Sequence, residues 1–250
     1  MFGNKTHLLP SFVPPRIAAG VLVTLTILSA ACTDSASRIN SPLSSRAKSA
    51  SSAAPSNFAV IANAAVTCTD GTINGNVGTF FATPTGSVTQ TTCPITGQIQ
   101  VGSEEAQQSF TDFLDSYTAL APKVGDVCTT LTGTLDGIRL APGDYCFPVA
   151  ATVTGVLTLD GPSDGSWTFK VGTSGTGALT GTGFSVVMAG GGQACNVAWW
   201  VADAVTMTGS DFQGNILAGV AITLTGGTLN GQAASRSDVT ITGTAVKACT

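Results

Sequence analysis

The C-terminal third of the chain repeats itself at a fixed 17-residue offset. Three segments align at that offset: residues 205–209 (VTMTG), 222–226 (ITLTG) and 239–243 (VTITG). Apolar residues and threonines alternate within each segment, which is the period of a β-strand with one buried face. Each repeat is long enough for one coil of a β-solenoid with three short strands and tight glycine corners. The repeat therefore predicts a stack of coils, each of which buries its apolar columns against its neighbours.

A further copy of the repeat lies far upstream. Residues 67–75 (TCTDGTING) match residues 223–231 (TLTGGTLNG), with Cys68 in place of an inward leucine. We therefore expect the N-terminal segment to form a coil of the same solenoid. Residues 152–154 and 180–182 resemble the repeated strands, although they are not at multiples of 17 from the C-terminal set.

One segment has a helical rather than a strand period. Between Ser103 and Leu120 the apolar residues recur at the spacing of one helix face, and Glu104 and Glu105 fall in the first turn, where they complement the helix dipole. Pro122 ends the pattern. The sequence thus predicts one amphipathic helix that packs against the flank of the solenoid through Phe110, Phe113, Leu114, Tyr117 and Leu120.

Residues 1–56 are typical of an export signal followed by a linker. Residues 1–31 combine a basic start with an uncharged apolar run at 17–31, which is short for a membrane span. Residues 28–32 (LSAAC) resemble a bacterial lipobox, in which Cys32 is lipidated and becomes the new N-terminus; ordinary signal-peptidase cleavage is the alternative. Residues 32–56 are rich in serine and alanine and predict a disordered tether. The folded domain is expected at 57–250, in a protein that is exported and either lipid-anchored at the cell envelope or secreted.

Charge and composition exclude several classes of function. The chain has ten Lys and Arg residues and a net charge of −4. From residue 57 onward it contains thirteen acidic residues and only five basic ones. A basic surface for nucleic acid is therefore excluded. The one histidine, His7, lies in the predicted leader, which removes histidine-dependent catalysis and metal sites that need imidazole. We expect no metal and no cofactor.

Six cysteines remain in the exported chain after Cys32 is set aside. An even number in an exported protein predicts disulfides, but six cysteines allow fifteen pairings. Cys128 and Cys146 are separated in sequence by about one coil and are the candidate pair. Cys195 shares a column with Phe212 and Leu229 at the 17-residue offset, which favours a buried thiol. The sequence leaves the partners of Cys68, Cys93, Cys195 and Cys249 open.

The Thr-x-Thr strands predict a flat grid of outward hydroxyl and methyl groups. Adjacent strands are about 4.8 Å apart and alternate residues about 7 Å apart along a strand. Threonine is stiff at χ1, so the grid is ordered before a ligand arrives and can hold water in an ice-like arrangement. Threonine is also simply a common exposed strand residue, and the pattern alone favours that plainer interpretation. The neighbouring face is irregular in residue type: Thr72/Asn74, Asp211/Gln213, Thr228/Asn230 and Ala245/Lys247.

Several blocks in order resemble the ice-binding proteins of bacteria, fungi and algae, a family formerly described as a domain of unknown function. The resemblance covers about residues 57–249 and rests on the helix and on residues 57–62 (NFAVIA), 75–78 (GNVG), 140–147 (LAPGDYCF), 157–161 (LTLDG), 167–172 (WTFKVG), 193–197 (QACNV) and 214–218 (GNILA). It implies a mostly β fold: a discontinuous, triangular β-helix in which the first coil stacks on the last, with one long α-helix alongside.

The resemblance also implies adsorption to an ice crystal through one flat face of small and hydroxylated residues, without enzymatic activity. We expect a monomer whose partner is ice and which contacts a membrane only through a lipid at Cys32. The candidate ice-binding residues are Thr67, Thr69, Thr206, Thr208, Thr223, Thr225, Thr240 and Thr242, followed by Thr152, Thr154, Thr180 and Thr182.

Two other classes of function compete with ice binding. A surface adhesion or structural module could use the same scaffold, and charged or aromatic groups on the repeated face would favour it. A β-helical polysaccharide lyase or hydrolase needs clustered or paired acids. The acidic residues here are scattered and often precede glycine, as at Asp136, Asp160 and Asp164, which is typical of turns. The sequence therefore argues against an enzyme.

Overall fold

The alternating apolar and threonine residues form parallel strands that wind into a solenoid. The computed structural model describes residues 58–249. The predicted leader, Cys32 and the tether lie outside the described residues. In this part of the chain, no helix is both long and apolar enough to cross a membrane.

Nineteen strands and one long helix make up the described residues. The helix is α1 (Glu104–Leu120). The strands are β1 (Phe58–Ala62), β2 (Ala65–Thr69), β3 (Thr72–Asn74), β4 (Asn76–Thr79), β5 (Ser87–Thr91), β6 (Ile99–Val101), β7 (Thr129–Thr130), β8 (Arg139–Leu140), β9 (Gly143–Phe147), β10 (Ala151–Asp160), β11 (Trp167–Val171), β12 (Leu179–Ala189), β13 (Val197–Val201), β14 (Val205–Gln213), β15 (Asn215–Ala218), β16 (Ile222–Asn230), β17 (Ala233–Ser235), β18 (Val239–Thr242) and β19 (Ala245–Lys247).

The strands stack into three faces. A nine-stranded sheet in the order β6-β4-β1-β17-β15-β13-β11-β9-β7 forms the helix face. A ten-stranded sheet bends along its length into two more faces. Its first half, the threonine face, consists of β5, β2, β18 and residues 222–225, 205–208, 179–182 and 151–154. Its second half, the polar face, consists mainly of β3, β19 and residues 228–230, 210–213, 184–189 and 156–160.

A column of left-handed residues makes the bend between the threonine face and the polar face. Gly183, Gly209, Gly226 and Gly243 have φ between 56° and 67°, a region in which a Cβ clashes with its own backbone. Each of the long strands β12, β14 and β16 therefore serves two faces, whereas the sequence predicts three separate short strands for each coil.

The 17-residue coil length holds only in the C-terminal part of the stack. Val205, Ile222 and Val239 are direct partners on consecutive strands, as the repeat predicts. Farther upstream the coils are longer, and Phe184 bonds to Ser210, 26 residues away. Longer connections at residues 161–166, 172–178 and 190–196, together with the longer strands β10 and β12, account for the extra length. They explain why the upstream threonines are not at multiples of 17.

The first coil stacks on the last one, as the displaced sequence copy predicts. Strands β1, β2 and β3 pair with β17, β18 and β19, and Thr67 lies directly beside Thr240. The chain then adds one more coil, β4 to β6, on the outer side of the first. Helix α1 returns the chain to the opposite end of the stack, where β7 begins.

Helix α1 begins and packs as the sequence predicts. The Ser103 side chain caps it by accepting a hydrogen bond from the Ala106 N–H at 3.1 Å. Its apolar stripe lies on the helix face against Phe58, Ile61, Trp200 and Leu217. Polar bonds fix its end, because Trp200 Nε1 donates to the Tyr117 carbonyl at 2.9 Å and the Tyr117 hydroxyl donates to the Val201 carbonyl at 3.1 Å.

The solenoid interior is filled by apolar columns that include stacked aromatic rings. Phe169 and Trp199 stack with their centroids 3.9 Å apart, and the Phe212 ring packs against Trp199 at a tilted angle with 4.8 Å between the centroids. All three side chains are essentially fully buried. Truncating a buried aromatic side chain costs about 3–5 kcal/mol, so this stack is central to the stability of the middle coils.

Three disulfides tie the coils together: Cys68–Cys93, Cys128–Cys146 and Cys195–Cys249. The candidate pair Cys128–Cys146 is confirmed, whereas the buried thiol expected at Cys195 is wrong. Cys195 lies in a short 3₁₀ turn and is only half-buried, and its predicted place beside Phe212 is taken by Val186. The reason is the insertion at residues 190–196, which shifts the phase of the repeat.

Candidate functional site: the threonine face

Two files of threonines run side by side along the solenoid axis. In each strand the apolar residues point into the core, as Val205 and Met207 do, and the residues after them point outward. The first file consists of consecutive strand partners, Thr152, Thr180, Thr206, Thr223, Thr240, Thr67 and Thr89. The second consists of Thr182, Thr208, Thr225, Thr242, Thr69 and Thr91, with Thr154 beside a register shift at its end.

The files bring together every threonine that the sequence singles out. They also include Thr89 and Thr91, which reasoning from the repeat missed. These two residues lie in β5, between Pro84 and Pro94, where the sequence no longer resembles the repeat. The available signal was the alternation Ser-Val-Thr-Gln-Thr in residues 87–91, which has the strand period without the apolar column.

The threonine hydroxyls are available to solvent. Each side chain in the two files is exposed or half-buried. Within residues 58–249, none of these hydroxyls takes part in a hydrogen bond with another group of the protein. Their donors and acceptors are therefore satisfied only by water or by whatever lies on the face.

Most residues that flank the two files are small. On one side, the residue directly after each threonine of the second file turns the chain, and it is glycine except for Asp70 and Thr92 in the coils of β2 and β5. On the other side, Ala178, Ala204 and Ala221 precede the strands, followed along the same line by Asp238 and Ala65. No aromatic or charged side chain occurs within the two files. The two files are therefore flat and uncharged over seven strands, or about 29 Å at about 4.8 Å per strand, with Asp238 and Asp70 beside them at the junction with the first coil.

Acidic side chains at the edge of the threonine face bond to the backbone of neighbouring coils. Asp238 Oδ1 accepts a hydrogen bond from the Ala65 N–H at 2.9 Å, and Asp203 Oδ2 accepts one from the Gly177 N–H at 2.7 Å. Both carboxylates satisfy donors where the chain turns onto the face. The two carboxylates thus stabilise turns of the backbone and do not form a catalytic or metal-binding cluster.

The polar face is of a different kind. Its side chains bond to each other, as Thr228 does to Asp211 at 2.8 Å and Asn230 to Gln213 at 2.9 Å. An ion pair between Arg139 in β8 and Asp160 in β10 adds charge at the end of this face where β8 is the edge strand, with 2.9 Å between nitrogen and oxygen. The side chains of the polar face are hydrogen-bonded to one another and carry charges at irregular positions. This face therefore does not present a periodic array of free polar groups to a ligand.

The groups with perturbed pKa values all lie away from the threonine face. A hydrogen bond from Lys170 lowers the pKa of Asp126, in the loop after α1, and burial raises the pKa of Tyr117 and of Tyr145. Among the described residues, no group of three or more His, Cys, Asp or Glu side chains could hold a metal ion. The face therefore presents neutral hydroxyl and methyl groups over a wide range of pH.

Comparisons with known proteins agree on one family. A family model described as "Ice-binding-like" matches residues 60–247. The chain is 30% identical to the ice-binding protein K3-B1 of Typhula ishikariensis over 145 residues, which is 58% of this chain and 52% of that relative. The chain thus spans about half the length of the curated relative that it matches.

Solved structures agree over a longer range. The ice-binding protein of the Antarctic ascomycete Antarctomyces psychrotrophicus superposes with a TM-score of 0.70 at 30% identity, over 81% of this chain and 97% of that one. The domain of an ice-binding protein from Shewanella frigidimarina superposes with a TM-score of 0.67 at 25% identity, over 80% and 96%.

Proposed function

This chain belongs to the ice-binding-like family, and from that premise we propose that it adsorbs to ice through the threonine face. The observation that carries the assignment of the face is the register: the threonines of consecutive strands are direct partners over seven strands. The proposed contact surface includes Thr89 and Thr91 as well as the twelve threonines predicted from the repeat.

The physical basis is an array that needs little ordering on binding. Immobilising a flexible side chain at an interface costs about 0.5–1.5 kcal/mol. Threonine has one stiff χ1 and sits here on a hydrogen-bonded scaffold, so most of that cost has already been met during folding. The hydroxyls then anchor water at regular positions, and the methyl groups favour cage-like hydration between them.

Adsorption at many points along a growing front would stop ice without any catalysis. Ice can grow only between bound molecules, so the front curves there and the local freezing point falls. The same adsorption slows the transfer of water from small crystals to large ones, which is recrystallisation. The proposed activity is therefore inhibition of ice growth and of recrystallisation.

The second candidate is an adhesion or structural module on the same scaffold. Recognition of a protein partner usually uses aromatic and arginine side chains that fit that one partner. The threonine face has neither, whereas the polar face carries Asp211 and Lys247 in irregular positions. The uniform face therefore supports ice rather than a macromolecular partner.

An enzymatic function has no support in the described residues. The family is one of ice-binding proteins, and we propose that this member too catalyses no reaction. The scattered acidic residues act in turns, as Asp136 does by accepting a hydrogen bond from the Val156 N–H at 3.0 Å. Neither paired carboxylates nor a nucleophile with a base lies on the threonine face.

The proposal extends to location and assembly. We propose that residues 1–31 direct export, that Cys32 carries a lipid or else follows an ordinary cleavage site, and that residues 32–56 tether a monomeric domain. Three disulfides support an oxidising compartment. Mass spectrometry of the exported protein would identify a lipid on Cys32.

The decisive experiment measures thermal hysteresis and recrystallisation inhibition of the wild type and two double variants. Thr223→Tyr with Thr240→Tyr places two bulky rings on adjacent strands of the threonine face. Thr72→Tyr with Ala245→Tyr does the same on the polar face and is the matched control. We expect the first pair to abolish activity and the second to retain it, with circular dichroism confirming that both fold.

The outcomes separate the two parts of the proposal. Activity that survives in the threonine-face variant would keep ice binding and move the site elsewhere. An inactive wild type at high concentration would remove ice binding altogether and leave the adhesion or structural module.

A further inference from the structure

Two asparagines of the chain are followed by glycine, in the pairs Asn74–Gly75 and Asn230–Gly231. In such a pair the backbone nitrogen of the glycine can attack the side-chain amide carbon of the asparagine, because glycine has no Cβ to hinder the approach. Both pairs lie where the polar face turns into the helix face, and Lys247 is the strand partner of both asparagines. The structure therefore contains the same reactive pair twice, in nearby coils, with different surroundings.

The Asn230–Gly231 pair is held by hydrogen bonds at both reacting groups. The Gly231 N–H donates to the Lys247 carbonyl at 2.9 Å, so the nitrogen that would attack is engaged. The Asn230 Nδ2 donates to Gln213 Oε1 at 2.9 Å, so the nitrogen that would leave is held as well. Gly231 is buried and Asn230 is half-buried. Attack at this pair requires the loss of hydrogen bonds that the stack of coils keeps in place.

The Asn74–Gly75 pair lacks these restraints. Within residues 58–249, neither the Gly75 N–H nor the Asn74 side-chain nitrogen donates a hydrogen bond to another group. The Asn74 Oδ1 accepts a hydrogen bond from the Thr96 hydroxyl at 2.9 Å, which draws electron density away from the amide carbon. Asn74 is exposed and Gly75 is half-buried, so hydroxide and water can reach the pair.

We infer that Asn74 is a site of spontaneous deamidation through a succinimide, and that Asn230 is protected from this reaction. Hydroxide removes the proton of the Gly75 N–H, the nitrogen forms a bond to the Asn74 side-chain carbon, and the amide nitrogen gains a proton and leaves as ammonia. Water then opens the ring. Cleavage of the bond between the Gly75 nitrogen and the side-chain carbon gives aspartate, and cleavage of the bond to the main-chain carbonyl carbon gives isoaspartate.

The products change the place where the first coil stacks on the last one. Both products put a negative charge beside Lys247. Isoaspartate also lengthens the main chain next to Gly75, where the packing is so close that a Cβ on Gly75 would meet the Ala59 and Ala248 Cβ atoms at 2.8 and 3.0 Å. The Ala248 N–H donates to the Asn74 carbonyl at 3.0 Å, and the longer main chain displaces this bond. The modification therefore alters a junction of the solenoid, whatever the threonine face binds.

Ageing the folded full chain beside the reduced and denatured chain tests the inference. Both samples are kept at mildly alkaline pH in water enriched in heavy oxygen, which labels each amide as it becomes an acid. Mass spectrometry after digestion gives the conversion at each position. We expect comparable rates for the two pairs in the denatured chain, and severalfold faster conversion at Asn74 than at Asn230 in the folded chain. Equal rates in the folded chain, faster conversion at Asn230, or no conversion at either position would overturn the inference.

Two single variants assign the new charge to its position. Asn74→Gln removes the reactive pair, because the longer side chain would have to close a larger ring, and Asn230→Gln is the matched control. Isoelectric focusing of the aged, folded proteins should show the same new acidic form in the wild type and in Asn230→Gln, and should not show it in Asn74→Gln. Circular dichroism confirms that both variants fold. An acidic form that persists undiminished in Asn74→Gln would place the modification elsewhere and contradict the inference.

Discussion

Asp238 and Ala65 are 173 residues apart in the chain, yet the Asp238 carboxylate accepts a hydrogen bond from the Ala65 N–H at 2.9 Å. This bond lies where the first coil stacks on the last. Strand β2 supplies Thr67 and Thr69 to the threonine files, and β5 beyond it supplies Thr89 and Thr91. The continuity of the face therefore depends on a junction between distant parts of the chain.

Replacing Asp238 tests the importance of this junction. Asp238→Ala leaves the Ala65 N–H without its acceptor, and we expect a loss of about 1 kcal/mol in the free energy of unfolding, since the site is exposed. For a domain of this size that corresponds to a fall of about 2–4 °C in Tm. Asp238→Asn keeps an acceptor oxygen and should lie between the alanine variant and the wild type. Equal melting of all three proteins would show that the bond contributes nothing.

The position of a substitution along the files should set its effect on activity. Thr223→Tyr lies in the middle of the first file, with three threonines on each side, so its ring would hold both halves of the face away from ice. Thr89→Tyr lies at the end of the same file and leaves six consecutive threonines undisturbed. We expect a large loss of thermal hysteresis for the central variant and a smaller loss for the terminal one. An equal loss in both variants would contradict adsorption along the whole length of the files.

Substitution by valine and by serine separates the two halves of the threonine side chain. Thr206→Val with Thr223→Val keeps the methyl group, the shape and the stiff χ1, and removes the hydroxyls. Thr206→Ser with Thr223→Ser keeps the hydroxyls, but removes the methyls and frees the rotamer. Since preorganisation is central to the proposal, we expect the serine pair to lose more hysteresis than the valine pair. The reverse order would indicate that hydrogen bonds alone hold the ice.

The sequence predicts those parts of the fold that repeat. The 17-residue offset identifies the last three coils, and the match at residues 67–75 places the first coil beside them. The amphipathic period between Ser103 and Leu120 predicts α1. These features are periodic patterns within the sequence, so they can be recognised without knowledge of the tertiary structure.

The parts that the sequence misses are those where insertions or end effects disturb the period. Cys195 is placed in the wrong column because the inserted residues before it have no internal pattern of their own. Thr89 and Thr91 are overlooked because a terminal coil packs on one side only and does not need the full apolar column. The partners of Cys68 and Cys195 depend on which coils are neighbours, which is a property of the stack rather than of any segment.

Acidification should loosen one loop and leave the proposed activity unchanged. The loop after α1 is held by an ion pair of 2.7 Å between Lys170 and Asp126, and the hydrogen bond from Lys170 lowers the pKa of Asp126. An unfolded aspartate titrates near a pH of about 3.9. The stabilisation from this pair is therefore complete above about pH 4 and is lost as the pH falls through the lower folded pKa.

The methyl resonances of Val127, next in the loop to Asp126, report this titration. We expect them to shift with a midpoint below that of a free aspartate, to stop titrating in Asp126→Asn, and to move to a higher midpoint in Lys170→Met. The threonine face carries no titratable group in its two files, so hysteresis of the folded protein should stay constant over the same range. A midpoint at the ordinary aspartate value would remove the role of Lys170, and hysteresis that followed the loop would link this loop to ice binding.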